Sequence, residues 1–233
     1  MVRGMTSASP NDQNLRKDAA LNKERLLVAG RELFAQHGLG VTLNDVARHA
    51  GVGVGTAYRR FANKEELIDA ILERQNEELE RILHAALAEE NPWDGLVLYL
   101  ERSLIMQAQD RGMAQIFSGR HGRTEKYDEG RDRLAPLVNR VAQRAREAEV
   151  IRPDITGTDL IFLQIAITSI STVTQDGPRI DGRDDVEELY RRYLWIALDG
   201  LRTDNKTSTL PVPALTTLQT HTLLQPKRPD PAV

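Results

Sequence analysis

Cysteine is absent from the 233 residues. Disulfides and thiolate metal sites are therefore excluded, and a reducing, cytoplasmic setting is the expectation. No apolar run reaches the length of a membrane span, and the opening stretch "MVRGMTSASPNDQNLRK" lacks the apolar core of a signal peptide. No stretch alternates apolar and polar residues convincingly over a strand's length. Enzymatic signatures are also missing. There is no Glu-x-x-His pair of the kind a metal-carboxylate bundle needs, no nucleophile elbow and no phosphate loop. The nearest approach is "ERILH", with Glu80 and His84 on one helix surface. A helical-bundle enzyme without a nucleic-acid role stays as the alternative reading. A membrane-surface protein would need a basic amphipathic helix with exposed aromatics, and none is present.

What is present is a core's worth of apolar residues, 40% of the chain, and a lopsided charge. The whole chain carries −3. Between Arg16 and Lys64, nine basic residues face four acidic ones, so this segment is net +5 and the remainder about −8. A positive amino-terminal segment on an acidic body suits contact with a polyanion at one end, although a solvated helical surface would look the same on charge alone.

Apolar periodicity predicts an all-α chain of about nine helices. Leu26, Leu27, Ala29, Leu33 and Phe34 recur at helical spacing until Gly38 and Gly40 end the run. Thr42 can N-cap a short second helix with Val46, Ala47 and Ala50 inward, stopped by Gly51. A third holds Ala57 and Phe61 on one side. Asn63 with Glu66 has capping-box spacing at the head of a long fourth helix. Further helices are expected near 93–109, 112–118, 128–149, 157–175 and 185–202, with Pro136 kinking or starting one of them. These divide the chain into a disordered arm (1–20), a three-helix DNA-binding domain (21–68), a larger helical domain (69–203) and a flexible, proline-containing tail (204–233).

The stretch "AGVGVGTAYRRFANKEEL" carries the chemistry. Two short helices around a tight glycine turn make a helix-turn-helix, whose second helix enters the major groove of DNA. Gly51 can take the left-handed conformation where the chain reverses. Gly53 stands at the next N-cap, and Gly55 lets the backbone of the first turn approach a phosphate or base edge. Thr42, Thr56, Tyr58 and Arg60 suit the sugar-phosphate chain, and Lys64, at a helix N-terminus, suits a phosphate. Base edges are left to Val54, Asn44, Tyr58 and Arg59, and Leu43 completes the expected contact set. Val54 can pack on a thymine methyl, and an arginine can bridge guanine O6 and N7. An ordinary glycine loop and a dinucleotide-binding loop are the competing readings. The latter needs a preceding strand and a third glycine one residue later.

Residues 42–67 resemble the amino-terminal domain of TetR-type transcriptional regulators, whose pattern runs T-x-x-x-I/V-A-x-x-A-G-V-S/T-x-G-T-x-Y-x-x-F-x-S/T-K-x-x-L. Thr42, Val46, Ala47, Ala50, Gly51, Val52, Gly55, Thr56, Tyr58, Phe61, Lys64 and Leu67 match, while Gly53 and Asn63 replace the usual hydroxyl caps. The strong likeness covers about residues 23–75. Farther on, "EVIRPDITGTDLIFL" resembles a recurrent loop and penultimate helix of the family, and the carboxyl-terminal part looks like the SbtR-like subgroup. The resemblance implies a homodimer that binds double-stranded operator DNA as a repressor and is released by a small molecule, with no metal or cofactor. It implies dimerisation through the last two helices, for which Ala166, Ile170, Leu189, Tyr193, Ile196 and Leu201 are candidates. It also implies an effector pocket, for which Trp93, Met106, Met113, Phe117, Leu163, Gln164, Ile167 and Thr168 are candidates, with Gln107 able to orient a polar group. A plain core explains each of these pocket candidates better than a ligand wall does.

Overall fold

In a computed structural model, the description covers residues 10–108, 125–176, 181–203 and 215–219. Among these the chain is helical, with no strand beyond an isolated bridge between Ile151 and Arg202. The helices are α1 (Pro10–His37), α2 (Leu43–His49), α3 (Val54–Arg60), α4 (Lys64–Ala88), α5 (Pro92–Ala108), α6 (Glu125–Glu147), α7 (Gly157–Asp176) and α8 (Leu189–Leu201). Short 3-10 turns at Gly38–Gly40 and Val186–Glu188 precede α2 and α8. The helix expected at 112–118 lies outside the described residues.

Two compact units divide the chain at 71/72, inside α4 and three residues beyond the expected boundary. The first unit is closed by apolar faces meeting at helical spacing. Leu26, Leu33 and Phe34 of α1, Val46 and Ala47 of α2, Ala57 of α3, the following Phe61, and Leu67 of α4 are all buried. Helix α1 starts at Pro10, so half of the arm expected to be disordered is helical. Proline suits a first helical turn, because its missing N–H would have no partner there.

In the second unit, Leu96, Tyr99, Leu100 and Leu104 of α5, Leu134, Val138, Val141 and Ala142 of α6, Leu160 and Ile167 of α7, and Tyr190, Leu194 and Leu198 of α8 share one core. Helix α6 runs through Pro136 without ending there, so the proline neither starts nor stops it. The end of α4 is held by Arg144, whose guanidinium donates to the carbonyls of Leu87, Glu89 and Glu90. Leu87 and Glu89 are among the acceptors that a helix C-terminus leaves without intrahelical donors, and Glu90 follows in the turn. After α6, Glu149 takes a left-handed φ of 55°, a position glycine more often fills. The end of α8 is tied back by Arg152 N–H to the Leu201 carbonyl and by the Thr203 hydroxyl to the Glu149 carbonyl.

Residues 215–219 correct the expectation of a tail flexible along all of 204–233. The Leu215 carbonyl accepts from the buried Thr158 hydroxyl at 2.7 Å, and Asn139 donates to the Thr217 hydroxyl at 3.3 Å. The rest of that tail lies outside the described residues.

Candidate nucleic-acid interface

Helix α2 starts from a complete capping box. The Thr42 hydroxyl accepts from the Asp45 N–H, and the Asp45 carboxylate accepts from the Thr42 N–H at 3.1 Å. The Thr42 hydroxyl also donates to that carboxylate, and these bonds hold the Asp45 carboxyl below its ordinary range, with Arg48 assisting. A second arrangement begins α4. The Asn63 side chain accepts from the Glu66 N–H, while the Glu66 carboxylate accepts from the Ala62 N–H, one residue before a standard box would place it. Between the two caps, Gly51 reverses the chain at φ +63°. Gly53 caps α3 in extended conformation with no side-chain bond, as its missing side chain requires.

These restraints fix which side of α3 is open. Ala57 and, beyond the helix, Phe61 turn inward and are buried. Val54 and Tyr58, one turn apart, are 46% and 47% exposed, and Gly55, Arg59 and Arg60 are exposed beside them. A side chain at Gly55 would meet nothing within 4 Å, so the backbone there is bare. The Arg59 guanidinium donates to the Thr56 hydroxyl at 3.0 Å, joining two expected contacts into one polar unit. Thr42 and Asn44 are exposed at the start of α2, and Lys64, half-buried, opens α4.

Leu43 departs from the expected set. Its side chain is 3% exposed and belongs to the core, because the first turn of α2 turns this position inward. Only its backbone could reach a phosphate. Sequence reasoning missed a link between α1 and α2, in which His49 Nε2 lies 2.9 Å from a Glu32 carboxylate oxygen. The two are 17 residues apart, and no short motif marks them.

The expected effector residues fall into separate groups. Trp93 lies in the core with the Arg202 guanidinium 3.9 Å over its ring. It sits about 20 Å along α5 from Met106 at 1.5 Å per residue, so it does not share a site with the others. Met106 and Leu163 are half-buried against the core, Ile167 is buried, and Gln164, Gln107 and Thr168 are hydrogen-bonded together. Met113 and Phe117 lie outside the described residues. Of the expected dimer residues, Ala166, Tyr193 and Ile196 are exposed, and Ile170 and Leu189 are half-buried. Leu201 instead packs on its own unit's core. Exposed Ile165, Val173 and Trp195 were missed, since helical spacing alone does not say which apolar face turns outward. Glu80 and His84 form only a loose surface pair at 3.9 Å.

Comparison with known proteins agrees with this geometry. A family profile for bacterial regulatory proteins of the tetR family matches residues 26–71, and one for the SbtR-like transcriptional regulator carboxyl-terminal domain matches 91–203. An HTH-type transcriptional regulator of Staphylococcus aureus (strain USA300) is 34% identical over 61 residues, 26% of this chain and 33% of that protein. The chain thus spans about a third of the curated relatives it matches. The crystal structure of a TetR transcriptional regulator from Streptomyces coelicolor is 29% identical, covering 78% of this chain and 99% of its own, with a TM-score of 0.57. FadR from Bacillus subtilis, solved in complex with stearoyl-CoA, shares the fold at 17% identity, covering 77% of this chain and 99% of its own, with a TM-score of 0.59. These proteins are regulators rather than enzymes. With its helix-turn-helix unit and its helical carboxyl-terminal unit each matched to a regulator profile, the chain belongs to the TetR family of transcriptional regulators.

Proposed function

We propose that the chain is a homodimeric repressor that binds a palindromic operator and leaves it when a small molecule binds the carboxyl-terminal unit. The observation that carries the DNA contact is the open face of α3. Val54 and Tyr58 stand exposed one turn apart beside a bare Gly55 backbone, with Arg59 and Arg60 flanking them. Large side chains exposed on a helix this short gain nothing from self-burial, but they fit the width of a major groove. Val54 and Asn44 read base edges in this scheme. Tyr58, Arg60, Thr42 and Lys64 contact the backbone, and the Thr56–Arg59 pair lies between the two roles.

Dimerisation is supported by exposed Ile165 and Val173 on α7 and by Tyr193, Trp195 and Ile196 on α8. Large apolar side chains left exposed on both of the last two helices suit an interaction site, and a symmetric pair would present two recognition helices to two half-sites. Effector control requires the small molecule to prefer one arrangement of those helices over another.

Selection of bound fragments from random DNA by the purified protein tests the reading. The expected result is an inverted repeat with half-sites about one helical turn apart. Tyr58→Ala should lose that binding while sedimenting as the wild-type dimer. Ile196→Glu should sediment as a monomer and bind DNA far more weakly. Recovery of no enriched sequence, or equal binding by Tyr58→Ala, would reject the assignment.

A further inference from the structure

A row of uncharged polar groups crosses the otherwise apolar core between α5 and α7. The Gln164 amide donates to the Ser103 hydroxyl at 2.5 Å, and the Ser103 hydroxyl donates to the Tyr99 carbonyl at 2.6 Å. The Gln107 amide donates to the Gln164 carbonyl oxygen at 3.4 Å and accepts from the Thr168 hydroxyl at 2.9 Å. Burial pushes the Tyr99 hydroxyl up, against an opposing hydrogen bond with Gln164, so it stays protonated. The positions 164, 168 and 171 share one face of α7, and 99, 103 and 107 one face of α5.

Two features set this row apart from ordinary core polarity. Ser171, one turn beyond Thr168 on the same face, is 3% exposed, and its hydroxyl has no hydrogen-bond partner among the described residues. Burying such a group without a partner is costly, and native chains seldom do so without a reason. The 3.4 Å contact from the Gln107 amide to the Gln164 carbonyl oxygen is also long for an amide pair, so the Gln107 donor is poorly satisfied. Charge is absent here as well. Every buried polar side chain among the described residues is an amide or a hydroxyl. An ionised group entering this row would lose its hydration and find no buried counter-charge among the described residues.

We infer that the effector-binding part of the core takes an uncharged molecule with an apolar body and a hydrogen-bonding oxygen, such as a ketone or alcohol, and that Ser171, Gln107 and Thr168 hold that oxygen while Met106, Leu163 and Ile167 face the body. This rests on the proposed effector control and narrows it. A hydroxyl, a carboxamide and a second hydroxyl can both donate and accept, so they match a neutral oxygen of either type. They supply no full charge for a carboxylate, a phosphate or an ammonium.

The test uses the full chain and four probes of equal chain length: decan-1-ol, decan-2-one, decanoate at pH 8 and decylammonium at pH 7. Binding is read by calorimetry, and release of the selected operator by fluorescence anisotropy. The alcohol and ketone should bind at least tenfold more tightly than either ion. The double variant Gln107→Leu, Ser171→Ala should lose about tenfold for the ketone and narrow the gap between ketone and ions. Should that variant fold poorly, Ser171→Ala alone, which removes one oxygen, gives the same comparison. Equal or tighter binding of either ion, no binding of any probe, or an unchanged ranking in a folded variant would overturn the inference. A protein that holds its operator but ranks the ions first loses only the effector class. One that ranks the neutral probes first but engages no DNA loses the regulator reading instead.

Discussion

Replacing Gly51, Gly53 and Gly55 one at a time should give three different outcomes, because each occupies a different backbone setting. Gly51 sits at φ +63°, and an added Cβ would meet nothing within 4 Å. The cost of Gly51→Ala is therefore conformational only, about 1–2 kcal/mol for a left-handed L-residue, which lowers the folding constant of the first unit about 5- to 30-fold. Gly53 is extended, with φ −60° and ψ 135°, and its nearest neighbour to an added Cβ is the Thr56 hydroxyl at 3.9 Å. Gly53→Ser fits without strain and supplies the missing N-cap acceptor, for a gain of a few tenths of a kcal/mol. Gly55 lies in the first turn of α3 with open space around it. Gly55→Ala should stabilise α3 by about 0.5–1 kcal/mol, yet weaken operator binding, because the methyl group stands where the backbone meets DNA.

Amide hydrogen exchange localises the stability change. The Ala57 N–H is bonded to the Gly53 carbonyl at 3.0 Å and the Phe61 N–H to the Ala57 carbonyl at 2.9 Å, so both report on α3. Protection at these amides should fall in Gly51→Ala and rise in Gly53→Ser and Gly55→Ala. Anisotropy on the selected operator gives the second axis, on which only Gly55→Ala should lose affinity while gaining protection. If Gly51→Ala exchanges like wild type, the left-handed turn is not needed. If Gly55→Ala gains stability and keeps full affinity, the backbone does not approach DNA there.

Three further expectations follow from single contacts. Lys64→Ala should weaken binding to all sequences alike and flatten the slope of log K against log salt by about 0.9 for one lost phosphate contact; an unchanged slope removes Lys64 from the interface. The Asp45 carboxyl is held below its ordinary value of 3.8 by Thr42, so its contribution to α2 is present above that value and lost as pH falls through the depressed one. Protection of the α2 amides should therefore drop as pH falls below 3.8 in wild type, and Asp45→Ala should lack that part of the drop. Arg144→Met removes the donor to three carbonyls at the end of α4 and should destabilise the second unit by about 2 kcal/mol, measured by urea unfolding; a loss under 0.5 kcal/mol would mean water replaces the guanidinium without penalty.

The first unit was legible because its signals are local. Thr42 as an N-cap, Gly51 and the Ala57–Phe61 spacing each act within a few residues, and each has the expected geometry, although the Asp45 side of the cap was not read. Even Gly53 at a cap position is as the spacing implied. Leu43 shows the limit of such local reading, which did not mark its side chain as core. It adjoins the exposed Thr42 and Asn44 in sequence, but a helix turns neighbouring residues about 100° apart, and this one faces the core. Contacts between distant residues left no trace to read. Glu32 with His49, Arg144 with the end of α4, and Thr158 with Leu215 join segments whose approach only the folded chain decides.

Helix α7 shows why the carboxyl-terminal unit resisted the same reading. Its buried face holds Leu160, Gln164, Ile167 and Ser171, and its open face holds Ile165, Ala166, Ser169 and Val173. Both faces mix aliphatic and small polar side chains, so periodicity cannot rank them. A helix apolar on all sides is stable in water only when all sides are covered. Val173 is 71% exposed and Ile196 of α8 is 55% exposed, and no described residue covers them. Polar residues on the inner face and aliphatic ones on the outer face have one common explanation. On the proposed reading, the inner face holds something other than its own core and the outer face meets another copy of the same helices. If that explanation holds, Ile165→Glu on the outer face should break the dimer and leave probe binding intact, while Ser171→Ala should do the reverse. Loss of both properties in both variants would mean that α7 is simply a structural strut.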